Sequence, residues 1–247
     1  MKGLLNQIIH ADCFDIFPEI PDGSVDMILC DLPYETTQNE WDVGLPLDLL
    51  WSHYKRIIKQ NGAILLTAQP PFDKVLGMSN INMLRYEWIW VKNNPTGFLN
   101  ANKMPLKSHE NILVFYRRLP TYNPQKTQGH PPVNHYKKLS SDGSNYGNTK
   151  VGIEGGGQTD RFPTDVLYFQ RDQKRFHPTQ KPVALFEYLI KTYTNEGALV
   201  VDNCAGVATT AVAAIKNKRN FIAIEKEEKW VKIGKQRLQN VQLVMNL

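Results

Sequence analysis

Short, unbroken apolar runs alternate along this chain with stretches in which apolar residues recur at helical spacing. Val25-Asp26-Met27-Ile28-Leu29-Cys30, entered from the turn Pro21-Asp22-Gly23-Ser24, reads as a buried strand. Ala63–Thr67, Ile112–Tyr116, Ala198–Asp202 and Asn220–Glu225 have the same character, and Asn6–His10 and the aromatic Tyr86–Val91 supply two more strands. Helical spacing appears in Leu45–Gln60 (Leu49, Leu50, Tyr54, Ile57, Ile58), ending at the stop signal Asn61-Gly62. It returns in Val183–Thr194 through Leu185, Phe186, Leu189, Ile190 and Tyr193. Shorter helices are expected around Phe14–Phe17, from Pro70-Pro71-Phe72 to about Ser79, and over Thr210–Asn217. Strands that alternate with helices in this way predict an α/β domain with a mainly parallel sheet.

The alternation lapses between Arg117 and Arg175. That segment is rich in Pro, Gly, Asn, Tyr and basic residues, and Lys126, Lys137, Lys138, Lys150, Arg161 and Arg171 are its candidate contacts to phosphates. Aromatic Tyr122, Tyr136 and Tyr146 interleave with them, and Gly152–Gly157 is expected to be flexible. A long segment of this kind inside a compact domain is more often functional than not. The chain therefore divides into 1–116, an insertion at 117–175, and 176–247, the outer two being halves of one domain. The polar stretch Glu35–Val43, with Trp41 inside it, reads as a mobile loop.

Composition narrows the partners only slightly. The chain has 247 residues and a net charge of +5, which favours a polyanionic partner. Cys13, Cys30 and Cys204 are far apart and lack Cys-x-x-Cys spacing, which argues against a disulfide framework or a zinc site. The amino-terminal residues carry no long apolar run, so neither a signal peptide nor a membrane span is expected.

Candidate chemistry collects at strand ends. Asp31-Leu32-Pro33-Tyr34 follows Val25–Cys30 directly, at the carboxyl end of a parallel strand, where open α/β sheets place their ligand crevice. An exocyclic amine on a nucleobase is a poor nucleophile, because its lone pair is delocalised into the ring. A carboxylate (Asp31) and a backbone carbonyl (Leu32) can accept its two N–H groups and draw the nitrogen toward tetrahedral geometry. Pro33 holds Leu32 outside the helical region, and Tyr34 offers a face on which an extruded base can stack. Asp12 lies just past the first strand, either as the N-cap of the Phe14–Phe17 helix or as an acceptor for an adenine amine. Ala198–Asp202 opens into Asn203-Cys204-Ala205-Gly206-Val207-Ala208-Thr209-Thr210, then a helix, then a strand ending in Glu225. This is the first half of a doubly wound nucleotide site, with Glu225 where a carboxylate takes ribose hydroxyls. Gly-x-Gly-x-x-Gly is absent, which weakens a dinucleotide reading.

Asp31–Tyr34 resembles the (Asp/Asn/Ser)-Pro-Pro-Tyr signature of S-adenosylmethionine-dependent DNA amino-methyltransferases. His177-Pro178-Thr179-Gln180-Lys181-Pro182 is a longer match to the segment preceding the cofactor strand in the beta class of that family. Lys92–Pro95 and Ser108-His109-Glu110 resemble pieces that lie around its target pocket, with His109 a structural residue rather than a base. The order of catalytic motif, basic segment and cofactor motif is that of the beta class, a circular permutation. The resemblance implies a doubly wound, mainly parallel seven-stranded Rossmann-like sheet, with 117–175 as the target-recognition insertion. It implies S-adenosylmethionine held by Asp12, Cys13, Asp31, Thr179, Gln180, Lys181, Asp202, Asn203, Cys204, Ala205, Gly206, Ala208, Thr209, Thr210 and Glu225. It also implies methylation of a flipped-out base in double-stranded DNA, without a covalent enzyme intermediate, by a cytoplasmic, prokaryotic or phage-encoded protein of the nucleoid region. Asp at the first motif position favours N6-adenine. N4-cytosine, an RNA or protein substrate, and a catalytically weak DNA-binding relative are the alternatives. A homodimer and a cognate restriction endonuclease are partners of the class that no residue here decides. The family usually shows Asp-Pro-Phe-x-Gly-(Ser/Thr)-Gly-Thr-Thr at the cofactor turn. Asn203, Cys204 and Ala208 depart from it, and Ala208 in a left-handed conformation costs on the order of 1 kcal/mol.

Overall fold

The computed structural model describes residues 3–34, 44–139 and 151–245. In chain order they form β1 (Gln7–His10), α1 (Cys13–Ile16), β2 (Val25–Asp31), α2 (Leu47–Ile57), β3 (Ile58–Ala68), α3 (Phe72–Ser79), β4 (Leu84–Thr96) and β5 (Lys107–Phe115). Then come β6 (Tyr136–Lys137), β7 (Glu154–Gly155), β8 (Val166–Tyr168), α4 (Val183–Tyr193), β9 (Leu199–Asp202), α5 (Thr209–Lys216), β10 (Asn220–Glu225) and α6 (Glu228–Met245). They fall into two compact units, one made of Met1–Asn123 with Asp165–Leu247 and the other of Pro124–Thr164.

In the larger unit one sheet runs β1-β10-β9-β2-β3-β5-β4-β8. Strands β1, β10, β9, β2 and β3 are parallel, β5 is antiparallel to both β3 and β4, and β8 is parallel to β4. The seven expected strands are all present. Val166–Tyr168, three residues inside the stretch that reads as irregular, adds an eighth at the edge.

Alternation along β2 divides the core. Met27 and Leu29 pack with Leu185, Phe186 and Leu189 of α4, Ala211 of α5 and Val231 of α6. Ile28 and Cys30 point the other way, into Phe17 and into Leu50, Tyr54 and Ile57 of α2. Burial on both faces is why the central strands read as continuous apolar runs rather than alternating ones. Asp26 interrupts the β2 run because it is used at the strand's start. It pairs with Lys59 at 2.6 Å and accepts the Leu199 N–H of β9 at 2.9 Å.

Helix α2 ends at Ile57 and the chain passes straight into β3, rather than remaining helical to Gln60. Ile57 and Ile58 are both buried, so hydrophobic spacing carries no mark of the change. Strand β3 then bulges, with Val25 paired to Ile58 but Met27 to Ala63. Gly62 sits in the bulge, where a Cβ would lie 2.7 Å from the Ile58 side chain and 2.9 Å from the Asp26 carbonyl oxygen. Its role is close approach, not helix termination.

The smaller unit is held by backbone pairing. Strands β6 and β7 are antiparallel, Thr127 bridges Arg161, and His130 and Val133 donate to the carbonyls of Thr159 and Gln158, both at 3.0 Å. Two of its glycines are closely packed, while a Cβ on Gly129 or Gly152 would meet nothing within 4 Å. A Cβ on Gly155 would lie 2.7 Å from the Tyr136 hydroxyl, and one on Gly156 would lie 2.6 Å from His135 Cα.

Candidate active site

Strands β9 and β2 are neighbours, with Val200 opposite Met27 and Val201 opposite Ile28. From β9 the chain winds through α5 to β10 on one side, and from β2 through α2 to β3 on the other. The carboxyl ends of β9 and β2 therefore flank the point where the strand order reverses, the place where such sheets bind ligands. A cleft of about 1130 Å³ opens there. Asp31, Leu32, Pro33 and Tyr34 line it together with Asp12, Cys13, Thr179, Gln180, Lys181, Asp202, Asn203, Cys204, Ala205, Gly206, Thr209 and Glu225. Ala208 and Thr210 lie buried and are not among the lining residues.

On the β2 side, both oxygens of Asp31 have partners. Its Oδ1 accepts the Tyr34 hydroxyl at 2.7 Å and also the Thr67 hydroxyl. Its Oδ2 accepts from the Lys181 ammonium at 2.7 Å. The Tyr34 ring stacks on Phe72 at 5.5 Å with a 26° tilt, and Lys181 Nζ stands 5.4 Å from its centroid. Burial, then the charges of Asp31 and Glu110, push the Tyr34 hydroxyl well above the ordinary phenol range, so it remains a donor. Burial by itself would lower the Lys181 pKa. Asp31 and Glu110 overcome it and hold the lysine above its usual pKa.

On the β9 side the polar groups hold the turn. Asp202 accepts the Thr210 hydroxyl at 2.5 Å and the Cys204 N–H at 3.1 Å, and its burial raises the carboxyl to a pKa of about 7. Glu225 accepts the N–H of Gly206 at 2.6 Å on one oxygen and that of Glu227 at 2.8 Å on the other, and its pKa is likewise raised by burial. Each Glu225 oxygen keeps a lone pair for a ligand hydroxyl. Ala208 does adopt the left-handed conformation, with φ of 62°. Asn203, where the family has Pro, accepts the Tyr54 hydroxyl at 2.5 Å, which ties the turn to α2.

Residues 25–236 match the N6_N4_Mtase family model, described as DNA methylase. The chain belongs to this family of S-adenosylmethionine-dependent DNA amino-methyltransferases. It is 29% identical over 251 residues to the DNA adenine methyltransferase YhdJ of Escherichia coli, covering 94% of the chain and 82% of that protein. It is 29% identical over 263 residues to the type II methyltransferase M.BglII of Bacillus subtilis, covering 95% and 69%. The fold matches that of the M1.HpyAVI–SAM complex with a TM-score of 0.64 at 24% identity, over 94% of the chain and 98% of that structure. It matches the cytosine-N4-specific PvuII DNA methyltransferase with a TM-score of 0.69 at 13% identity, over 97% and 90%.

Other expected positions of the methylase are placed as follows. Asp12 caps α1 by accepting the Phe14 N–H at 3.0 Å, and it also lines the cleft, so both of its readings are compatible with the geometry. The Cys13 thiol is pushed up to about 12, chiefly by burial. Gln180 is occupied by the Phe176 N–H and by Asp172, and Asp172 in turn accepts the first N–H of α4, from Val183. Thr179 bonds to His177 Nδ1 at 3.0 Å, and the His177 ring meets Trp230 edge-on at 4.3 Å. The loop Glu35–Val43 and Lys150 lie outside the described residues.

Among the candidate DNA contacts, Lys126 pairs with Asp160 at 2.9 Å and Lys137 with Glu154 at 2.5 Å, while Arg161 donates to the carbonyls of Gln158, Asp160 and Pro131. Lys138 pairs its backbone with Ile153 and Gly152. Arg171 belongs to the larger unit and lines the cleft. The cleft also holds Trp90, Trp230 and the fully exposed Leu99, to which the sequence reading gave no role, and Glu110, expected there only as part of a segment around the target pocket. Glu110 stands beside His109 in a segment that resembles the family, but its partner Lys181 is 71 positions away, a separation no local spacing reveals. No helix among the described residues is long and apolar enough to cross a membrane.

Proposed function

We propose that this methylase transfers a methyl group from S-adenosylmethionine to the N6 amine of a flipped-out adenine in double-stranded DNA. The observation that carries the proposal is the meeting of Asp31 and Leu32 at the end of β2 with the Gly206 turn and Glu225 in one cleft. The residues of the β9 side fit the cofactor. Glu225 offers acceptors for two ribose hydroxyls, Asp12 offers one for the adenine amine, and the Ala205–Gly206 backbone comes to the cleft surface without a bulky side chain between. When bound, the cofactor supplies an electrophilic sulfonium methyl.

The chain's own residues then act on the amine. Asp31 Oδ2 and the Leu32 carbonyl each accept an N–H, which orients the nitrogen lone pair toward the methyl. The Tyr34 and Thr67 hydroxyls fix the carboxylate's other oxygen, so the acceptor does not have to reorganise during transfer. Asp31 need not be a strong base, because the amine becomes acidic once methylated. A base inside a duplex cannot reach a strand-end carboxylate within a cleft, and extrusion is the route by which such enzymes meet their target. Adenine is favoured over cytosine by Asp at position 31 and by similarity to a protein named as a DNA adenine methyltransferase. The unit Pro124–Thr164 reads the DNA sequence in this proposal, and Arg171 meets a phosphate near the cleft. Likeness to type II methyltransferases points to a cognate restriction endonuclease as a functional partner.

The test is transfer from labelled S-adenosylmethionine to unmethylated duplex DNA, followed by nucleoside digestion and mass spectrometry, with wild type beside Asp31→Ala. N6-methyladenine formed by wild type alone is the expected result. N4-methylcytosine would overturn the base assignment, and no methylated base on diverse DNA would overturn the substrate.

A further inference from the structure

Asp31 ends a run of alternating charges. Its Oδ2 is 2.7 Å from Lys181 Nζ, Lys181 Nζ is 3.2 Å from Glu110 Oε2, and Glu110 Oε1 is 3.4 Å from Lys92 Nζ. The side chains of Lys181, Glu110 and Lys92 are 5%, 7% and 0% exposed. Charges removed from water are costly unless paired, so a buried run of them requires a reason. Methyl transfer as proposed above uses Asp31 but assigns nothing to Glu110 or Lys92.

The Tyr34 and Thr67 hydroxyls crowd Asp31 Oδ1, and an incoming amine meets Oδ2, on which Lys181 already occupies one of two lone pairs. An ammonium there draws on the shared acceptor, and it repels the positive charge that grows on the amine nitrogen as the methyl arrives. Glu110 offers the alternative. Its Oε2 is buried and receives no hydrogen bond among the described residues, only the longer ion-pair contact with the same ammonium. Lys92, on the neighbouring strand β4, holds the other oxygen. An under-filled buried acceptor thus faces a lysine whose present acceptor is wanted by the substrate.

We propose that Glu110 is the second seat of the Lys181 ammonium, which shifts from Asp31 Oδ2 onto Glu110 Oε2 as positive charge grows on the target amine. Glu110 is then a positioning residue that acts through Lys181. The proposal rests on Asp31 being the acceptor for the amine.

The test is a double-mutant cycle of Glu110→Gln, Lys181→Met and the pair, read by single-turnover methylation of DNA. Glu110→Gln is expected to slow transfer roughly 30-fold while cofactor and DNA affinities stay within about threefold. The pair is expected to be no slower than Lys181→Met alone, because Glu110 has nothing left to position. With one of its two carboxylates gone, Lys181 loses its proton more readily, so the Glu110→Gln rate recovers toward wild type at alkaline pH, where the ammonium that hinders the amine is neutralised. Glu110→Asp restores part of the rate. Losses that multiply, or a pH profile unchanged from wild type, would overturn the proposal. If the lone substitution strands Lys92 and unfolds the protein, Lys92→Met with Glu110→Gln takes its place in the cycle. Failure of the function reading is separate, appearing as wild-type activity on DNA that is absent or indifferent to Asp31→Ala.

Discussion

Two aspartates end adjacent strands of the same sheet, and the protein treats them in opposite ways. Asp202, at the end of β9, is 4% exposed, is held by a hydroxyl and a backbone N–H, and has its pKa raised by burial to about 7. Asp31, at the end of β2, has a side chain 25% exposed, and a lysine ammonium sits on it. Sheet position offers both residues the same crevice. Their partners decide the roles. Neutral donors make Asp202 a brace for the turn between β9 and α5, and a cation together with two hydroxyls makes Asp31 a held carboxylate that lines the cleft. Carboxylates with such different partners mark a division of labour.

The contrast has four tests, of decreasing effect. Asp31→Ala should cut methyl transfer by about 10³-fold while cofactor affinity, measured by calorimetry, stays within about threefold. Loss of cofactor binding in that variant would erase the distinction between the two strand ends. Asp202→Asn should act on stability and on its pH dependence. The Asp202 carboxyl is raised from 3.8 to about 7 in the folded protein, so its proton contributes stability that is full below about pH 4 and lost as pH climbs through about 7. At about 1.4 kcal/mol per unit this amounts to a few kcal/mol. Urea melts at pH 5 and 8 should converge in the asparagine variant relative to wild type. Tyr34→Phe removes the hydroxyl on Asp31 but retains the ring on Phe72. It should slow transfer roughly tenfold with unchanged cofactor affinity, in line with about 1–1.5 kcal/mol for a hydrogen bond. Ala208→Gly should shift thermal stability least, by less than about 1 kcal/mol. Relief at φ of 62° is offset there by the loss of a fully buried methyl.

The sequence made most of the sheet legible because strands buried on both faces leave apolar runs that need no partner to be recognised. The Asp202–Thr210 turn and Glu225 were legible for a related reason, as they lie within one strand–helix–strand unit. What stayed hidden depends on distance or on ambiguity. The passage from α2 to β3 falls between two buried isoleucines, Ile57 and Ile58, and Gly62 looks like a helix stop although its place is a bulge. Strand β8 is three residues long, too short to set a period. Lys181 appeared in a motif that implied cofactor contact, but its ammonium faces Asp31, 150 positions earlier. Several of the basic residues expected to meet DNA are engaged with acids or carbonyls of their own unit, and composition counts such charges without knowing their neighbours.

Gly234, in the middle of α6, has Ala208 as its neighbour. A Cβ at 234 would come within 3.0 Å of the Ala208 methyl and 3.1 Å of Ile8 Cδ1. The two positions are therefore sterically coupled. With alanine at 208, any side chain at 234 has to push the Ala208 methyl and Ile8 aside by a few tenths of an ångström. With glycine at 208, Ile8 alone would have to yield, so a double substitution is expected to cost less than the sum of its parts.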